Sequence, residues 1–169
     1  MIWSKINFGK NNKVQNKTLP QILFIDPDWF FYQYKLKNGY LKRTYGEEAD
    51  FVYQRARNIK PKDGCYVKYF LHCDNTSYGF SFINKNEAEE KYSEYIETGL
   101  FDKDYYTLES DYFTILKRID LNFPRSLKDY DKKSNRIFIN ELKNYIFNGA
   151  KVTEKKAIDF FENDINFLL

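Results

Sequence analysis

The sequence predicts an α+β domain in which a small, mainly antiparallel three-stranded sheet packs with about five helices. Three observations predict this class. Two short runs rich in aromatic residues are joined by turn residues, a third run alternates apolar and polar residues, and capping residues open several stretches with helical apolar spacing. No repeat or flexible linker interrupts the 169 residues. We therefore expect a single domain over 1–169, with a basic helical part at 1–60 and the sheet within 61–169.

The first two helices are predicted from start signals that lie close together. Thr18 begins a capping box (T-L-P-Q), in which its hydroxyl accepts a first-turn N–H and Gln21 reaches back to the cap. Asp26 caps the second helix, with proline at the first helical position. We expect Asn38 and Gly39 to end this helix, with Gly39 in the left-handed conformation.

The remaining elements follow from the same kinds of signal. A third helix is expected to start in the box at Thr44. The strands are expected at Cys65–Cys73, Tyr78–Ile83 and Asp111–Phe123, the first two forming a hairpin. Three later helices are predicted from starts at Asn86, Ser134 and Thr153, with these inward residues: Ala88, Tyr92, Tyr95 and Ile96; Phe138, Leu142, Tyr145 and Ile146; Ala157, Phe161 and Ile165.

The N-terminal stretch carries a family resemblance. Its F-G-K at Phe8–Lys10, K-T-L-P-Q-I at Lys17–Ile22 and D-P-D-W-F-F at Asp26–Phe31 resemble the small domain at the C-terminus of exodeoxyribonuclease X-like proteins. The resemblance spans about a fifth of the chain. The family's usual glycine after the F-G-K loop is replaced by asparagine and lysine at 16–17, and no exonuclease catalytic domain is present. The resemblance therefore implies association with nucleic acid but does not imply cleavage.

A second resemblance covers most of the chain. The runs P-R-S-L-K-D-Y-D at 124–131 and F-F-E-N-D-I-N-F at 160–167 resemble uncharacterised proteins carried by phages and mobile elements. This family has no activity that could be transferred to the present chain.

Charge is distributed unevenly along the chain, and this distribution indicates a candidate binding surface. The net charge of +3 combines +6 over residues 1–60, −5 over 61–110 and +2 over 111–169. An excess of basic residues suits phosphate, although a solvated face is the more common meaning of such a pattern. The predicted contact residues for nucleic acid or a partner are Lys10, Lys13, Lys17, Lys42, Arg43, Arg55 and Arg57.

Aromatic residues are unusually frequent, with 16 Phe, 15 Tyr and 2 Trp. Many half-exposed tyrosines suit a surface that stacks on a ligand or contacts a partner, but an AT-rich genome would produce the same bias. Glutamates 87, 89, 90, 94 and 97 are expected on one helix, where they either mimic nucleic-acid phosphate or form an ordinary solvated face.

The chain lacks the sequence features of a membrane or secreted protein. It has no apolar run of about 18 residues, so no membrane partner is expected. Without a basic-then-apolar leader, the expected location is the cytoplasm, where two cysteines remain reduced.

Catalytic and metal chemistry find little support in the residue pattern. Along a straight strand Cys65 and His72 are ~23 Å apart and point to opposite faces, which excludes a thiol–imidazole pair. The same span excludes a Cys65–Cys73 disulfide, and paired zinc-ligand spacing is absent. We expect no catalytic residue, no metal and no cofactor.

A metal-dependent nuclease needs converging carboxylates and a lysine. The two E-x-K sequences at 141–143 and 154–156 fall in predicted helices, and Glu109, Asp111 and Asp120 lack a partner lysine. The favoured function is therefore a non-enzymatic binding protein of phage or mobile-element type that acts on DNA, RNA or a nucleic-acid-processing complex. The alternative is a protein-directed inhibitor, such as an anti-CRISPR or immunity protein that blocks a nuclease. A nuclease is less favoured, and the oligomeric state stays open.

Overall fold

The computed structural model describes residues 2–9, 12–71, 78–98, 112–126 and 132–169. Within these residues the chain forms six α-helices and three strands, and the predicted α+β class is confirmed. In chain order the elements are α1 (Leu19–Leu23), α2 (Pro27–Lys35), α3 (Tyr40–Ala56), β1 (Cys65–Leu71), β2 (Tyr78–Asn84), α4 (Lys85–Lys91), β3 (Tyr112–Leu116), α5 (Lys132–Phe147) and α6 (Glu154–Glu162).

The sheet has the order β2-β1-β3, and both neighbouring pairs are antiparallel. The predicted hairpin is confirmed, because β1 and β2 pair along their whole length from Cys65 opposite Asn84 to Leu71 opposite Tyr78. His72, Cys73 and residues 74–77, where the sequence predicts a turn, lie outside the described residues. Alternate residues of β1 serve two cores: Val67 belongs to the large core and Tyr66 to a small one beneath α4.

The third strand is shorter than predicted. Asp111 lies outside the described residues, and β3 ends at Leu116 rather than Phe123. The chain then bends, and Ile119 forms an isolated antiparallel bridge with Ile59. The apolar alternation therefore continues beyond the strand, but its residues reach different cores: Ile115 is in the small core, whereas Ile119 and Leu121 are in the large one.

The large core joins the two ends of the sequence, since it runs from Ile6 to Phe167 and includes residues of all but one of the helices. Phenylalanine and leucine are its most frequent buried residues, and Phe30, Phe31, Phe138 and Phe161 are completely buried. Each such side chain contributes about 1.5–3 kcal/mol relative to an exposed one.

Several predicted caps are confirmed. The Asp26 carboxylate accepts the Trp29 N–H at 3.0 Å at the start of α2, and the Thr153 hydroxyl accepts the Lys156 N–H at 3.3 Å at the start of α6. At α1 only half of the predicted capping box forms: the Gln21 side chain accepts the Thr18 N–H at 3.2 Å, whereas the buried Thr18 hydroxyl has no hydrogen-bond partner among the described residues. These contacts involve neighbours in sequence, which is why the residue pattern predicts them.

Two predicted helix boundaries at 38–44 were wrong. Asn38, with φ of 59°, holds the left-handed position, whereas Gly39 has φ of −63° and precedes α3. Glycine is needed there because an added Cβ would lie 2.6 Å from the Gln33 carbonyl oxygen. Helix α3 starts at Tyr40 rather than after Thr44, although Tyr45 interrupts it with non-helical angles.

The later helices also differ from prediction in detail. Asn84, not Asn86, caps α4 by accepting the Asn86 N–H at 2.9 Å. Helix α5 starts at Lys132, two residues before Ser134. Ile165 lies beyond α6 and is 71% exposed rather than inward, because the chain leaves the helix after Glu162.

Only part of the predicted acidic helix face is present, because three of its five glutamates, Glu87, Glu89 and Glu90, lie in α4. Helix α4 ends at Lys91, so Glu94 and Glu97 lie beyond it. Glu97 instead binds the bend that follows β3, accepting the Lys117 N–H at 2.8 Å and pairing with Arg118 at 2.9 Å. Across the described part of the chain, no helix is long and apolar enough to cross a membrane.

Candidate nucleic-acid interface

Arg55, one of the predicted contact residues, is buried and engaged in contacts within the protein. Its side chain is 9% exposed, and its guanidinium pairs with Asp164. The Cζ atom lies 4.2 Å from the ring centroid of Phe51 and 4.8 Å from that of Phe167. This guanidinium holds α3 against the C-terminal segment, so we exclude it from the binding surface proposed below.

Arg57 also has internal partners, but part of it reaches solvent. Its Nε donates to the buried Asp120 carboxylate at 3.1 Å, and Nη1 donates to the Tyr53 hydroxyl at 3.1 Å. Burial raises the pKa of Asp120, although the Arg57 charge acts in the opposite direction. With 37% of its side chain exposed, Arg57 retains a surface that a ligand could contact.

Arg57 and Lys42 belong to a stack of rings and cations between α2 and α3. The Tyr34 and Tyr53 rings are parallel within 9°, with centroids 4.0 Å apart. Lys42 Nζ lies 4.5 Å from the Tyr34 centroid, and Arg57 Cζ lies 5.6 Å from the Tyr53 centroid. The Tyr34 hydroxyl donates to the Asp50 carboxylate at 2.7 Å. Burial is the main cause that raises the pKa of Tyr34, and this hydrogen bond raises it further. The stack therefore fixes two cations on the helix pair.

The other predicted cations are less constrained. Lys13, Lys42 and Arg43 are exposed, Lys17 is half-buried, and Lys10 lies outside the described residues. Lys13 differs from the others because it lines a groove.

This groove has a volume of about 390 Å³ and lies between the loop at 12–17, the α1–α2 connection and one face of α5. Three cations line it: Lys13, Arg136 and Lys143. Arg136, Ile139, Asn140 and Lys143 share a helix face because they are three, four and seven residues apart. None of the three cations has an ion-pair partner among the residues that the structure describes.

The groove also contains two carboxylates, both engaged with the protein. Asp26 caps α2, and Asp28 pairs with Arg125 at 3.1 Å. Because Arg125 neutralises Asp28, positive charge exceeds negative charge in and around the groove. Phe24 and Ile139 line the groove but are almost completely buried, so the accessible apolar surface comes mainly from Ile25, which is 46% exposed. The result is a concave site with unpaired cations, an apolar part and a carboxylate.

The sequence pattern did not identify Arg136 and Lys143 as candidate site residues. Their seven-residue spacing places both on one face of a helix, and this spacing could have identified them as a pair of cations. The pattern could not show that this face lies beside Lys13 and Asp26, because those residues are distant in sequence. The groove is a product of tertiary packing.

The carboxylates considered for a nuclease do not converge in the described ranges. Glu141 and Glu154 lie in α5 and α6, Asp120 pairs with Arg57, and Glu109 and Asp111 fall outside the description. Over the described positions, no three His, Cys, Asp or Glu side chains form a group that could hold a metal ion.

Comparisons with known protein families, with curated proteins and with solved structures find no match for this chain.

Proposed function

We propose that the protein binds nucleic acid without a catalytic step, and that the basic groove is a principal phosphate contact. The single observation that carries the proposal is the convergence of Lys13, Arg136 and Lys143, from two distant parts of the chain, without ion-pair partners in the described structure. Unpaired lysine and arginine side chains attract phosphate and release its counterions when they bind it. Lys42 and Arg43 are the next candidates for phosphate contact, since both are exposed.

The proposal predicts salt-dependent binding that depends on the groove. Anisotropy of an end-labelled oligonucleotide of mixed sequence, titrated at several salt concentrations, measures both affinity and its salt slope. For a single strand the slope changes by about 0.7 for each lost phosphate contact. Neutralising the groove with Lys13→Gln, Arg136→Gln and Lys143→Gln together should therefore reduce the slope by about 2.

A matched variant controls for the loss of charge. Lys62, Lys151 and Lys156 are also exposed, and none lines the groove. Replacing all three by glutamine removes the same charge but should lower the affinity much less. Equal weakening by both triple variants would contradict a localised site, and the absence of binding at low salt would reject the proposal. A Lys42→Gln, Arg43→Gln variant measures the contribution of the second pair.

The protein-directed inhibitor remains a second candidate, favoured by apolar surface near the C-terminal segment. Ile165 is 71% exposed and Leu168 is 43% exposed. Ile165 also lines a broad depression of about 660 Å³ together with Pro61 and Phe160. Clusters of exposed apolar side chains favour protein contacts. Adding the protein to purified CRISPR nucleases and measuring target cleavage tests this function; Ile165→Asp should abolish any inhibition if this surface is responsible.

A further inference from the structure

We infer that the groove binds one nucleotide of a single strand, with the phosphate on the three cations and the base edge on Asp26. The inference rests on the nucleic-acid binding proposed above and adds strandedness and base preference. It follows from the groove's size, its mixed charge and the hydrogen-bonding state of Asp26.

The size of the groove limits what can fill it. At about 390 Å³ it is at the lower end of the range for small-molecule sites. Such a volume suits a single nucleotide rather than a paired helix. Nucleotides of single strands can be splayed out of the stack, so that their faces and Watson–Crick edges become accessible to protein side chains. A duplex keeps its Watson–Crick edges paired and exposes its bases only inside its grooves, so it cannot place a whole nucleotide in a concave site of this size.

The mixed charge of the groove indicates more than a phosphate site. A site for phosphate alone gains nothing from a carboxylate, which repels the ligand. A carboxylate is useful where the ligand also carries an N–H donor, and the exocyclic amine of cytosine is such a donor. The half-exposed Ile25 adds an apolar surface against which a base can pack. The combination of cations, apolar surface and carboxylate matches the three parts of a nucleotide.

Asp26 can accept this hydrogen bond without losing its structural role. One carboxylate oxygen, Oδ1, accepts the Trp29 N–H at 3.0 Å. The other oxygen has no hydrogen-bond partner among the described residues, and Asp26 is only half-buried. Asp28 is less suited to this role because its carboxylate already pairs with Arg125.

The test uses oligonucleotides that differ in one base edge. Oligo(dC) presents an amine at position 4 of the ring, whereas oligo(dU) presents a carbonyl oxygen, which Asp26 repels. Anisotropy titrations at one salt concentration should show oligo(dC) binding at least about five-fold more tightly than oligo(dU). The complementary duplex should bind more weakly than oligo(dC). The same pair in RNA shows whether the preference extends to both sugars.

Asp26→Asn is the informative variant because asparagine is also a good N-cap residue. The thermal midpoint should therefore remain close to that of the wild type. The variant should bind oligo(dU) more tightly and lose most of the preference for oligo(dC). Asp63→Asn is the matched control, since Asp63 is exposed and outside the groove; it should leave the preference unchanged.

The outcomes separate this inference from the function on which it rests. Equal, salt-dependent binding of both oligonucleotides would overturn the base contact and leave nucleic-acid binding intact. Duplex binding as tight as single-strand binding would overturn the strandedness. Cytidine monophosphate that competes as tightly as the strand would identify a free nucleotide as the ligand and overturn the strand assignment. Failure to bind any of these probes at low salt would reject both proposals.

Discussion

The Tyr34 and Tyr53 rings lie parallel with their centroids 4.0 Å apart, and this contact joins α2 to α3. Each ring also carries a cation, Lys42 on Tyr34 and Arg57 on Tyr53. Two of the cations predicted for ligand contact therefore depend on an aromatic pair for their position.

The ring pair should contribute to stability beyond the sum of its members. We expect Tyr34→Leu and Tyr53→Leu each to lower the free energy of unfolding by about 1–2 kcal/mol, with a coupling of about 1 kcal/mol in the double variant. Urea denaturation of the wild type, the two single variants and the double variant measures this coupling. Purely additive losses would show that the stacking contributes nothing specific.

Arg55 and Lys13 should separate stability from binding. Arg55→Ala removes packing against two phenylalanine rings as well as an ion pair, so we expect a loss of about 2 kcal/mol with unchanged oligonucleotide affinity for the folded protein. Lys13→Ala should show the reverse, with stability within ~0.5 kcal/mol of the wild type and weaker binding. Urea denaturation and anisotropy on both variants test this. If the folded Arg55→Ala variant bound the oligonucleotide more weakly, Arg55 would have to be counted among the contact residues.

The buried Glu48 should make stability fall as the pH rises through the acidic range. Burial raises the pKa of this carboxyl, although it accepts hydrogen bonds from the Ser4 N–H. Below pH 4.5, the ordinary pKa of a glutamate, the Glu48 carboxyl is protonated in both the folded and the unfolded state, so no charge has to be buried. Above 4.5 the unfolded chain ionises first, so the free energy of unfolding decreases until the folded carboxyl ionises as well.

The Glu48→Gln variant removes this contribution but keeps an acceptor for the Ser4 N–H. We expect its stability to decrease less than that of the wild type between pH 4.5 and neutrality. Urea denaturation across that interval provides the comparison, in which the remaining titratable groups are common to both proteins. Parallel pH profiles would contradict the assignment to Glu48.

Two glycines in or beside α3 should respond oppositely to the same substitution. At Gly39 an added Cβ would lie 2.6 Å from the Gln33 carbonyl oxygen and 2.8 Å from the Leu36 Cβ, so Gly39→Ala should destabilise the protein by about 1–3 kcal/mol. At Gly46, inside the helix, an added Cβ meets nothing within 4 Å. Gly46→Ala should therefore stabilise the protein by about 0.5–1 kcal/mol. Thermal unfolding distinguishes the two, and destabilisation by both would contradict the local geometry.

How well a feature could be predicted from the sequence depended on how far apart in the chain its interacting residues lie. The caps at Asp26 and Thr153 were predictable because a side chain and an N–H three residues away form them. The β1–β2 hairpin was predictable because two similar runs are separated by turn residues. The third strand was predicted too long, because the apolar alternation continues past the bend that removes Ile119 from the sheet.

The sequence by itself determined the α+β class, the starts of α1, α2 and α6, and the concentration of positive charge in the N-terminal third. Only the tertiary structure decided the use of each charge: Arg55 was enclosed by rings and Asp164, whereas Lys13 was placed beside Arg136 and Lys143. The physical reason is that caps and strand patterns arise from neighbouring residues. Burial and ion pairing depend instead on which distant segments pack together.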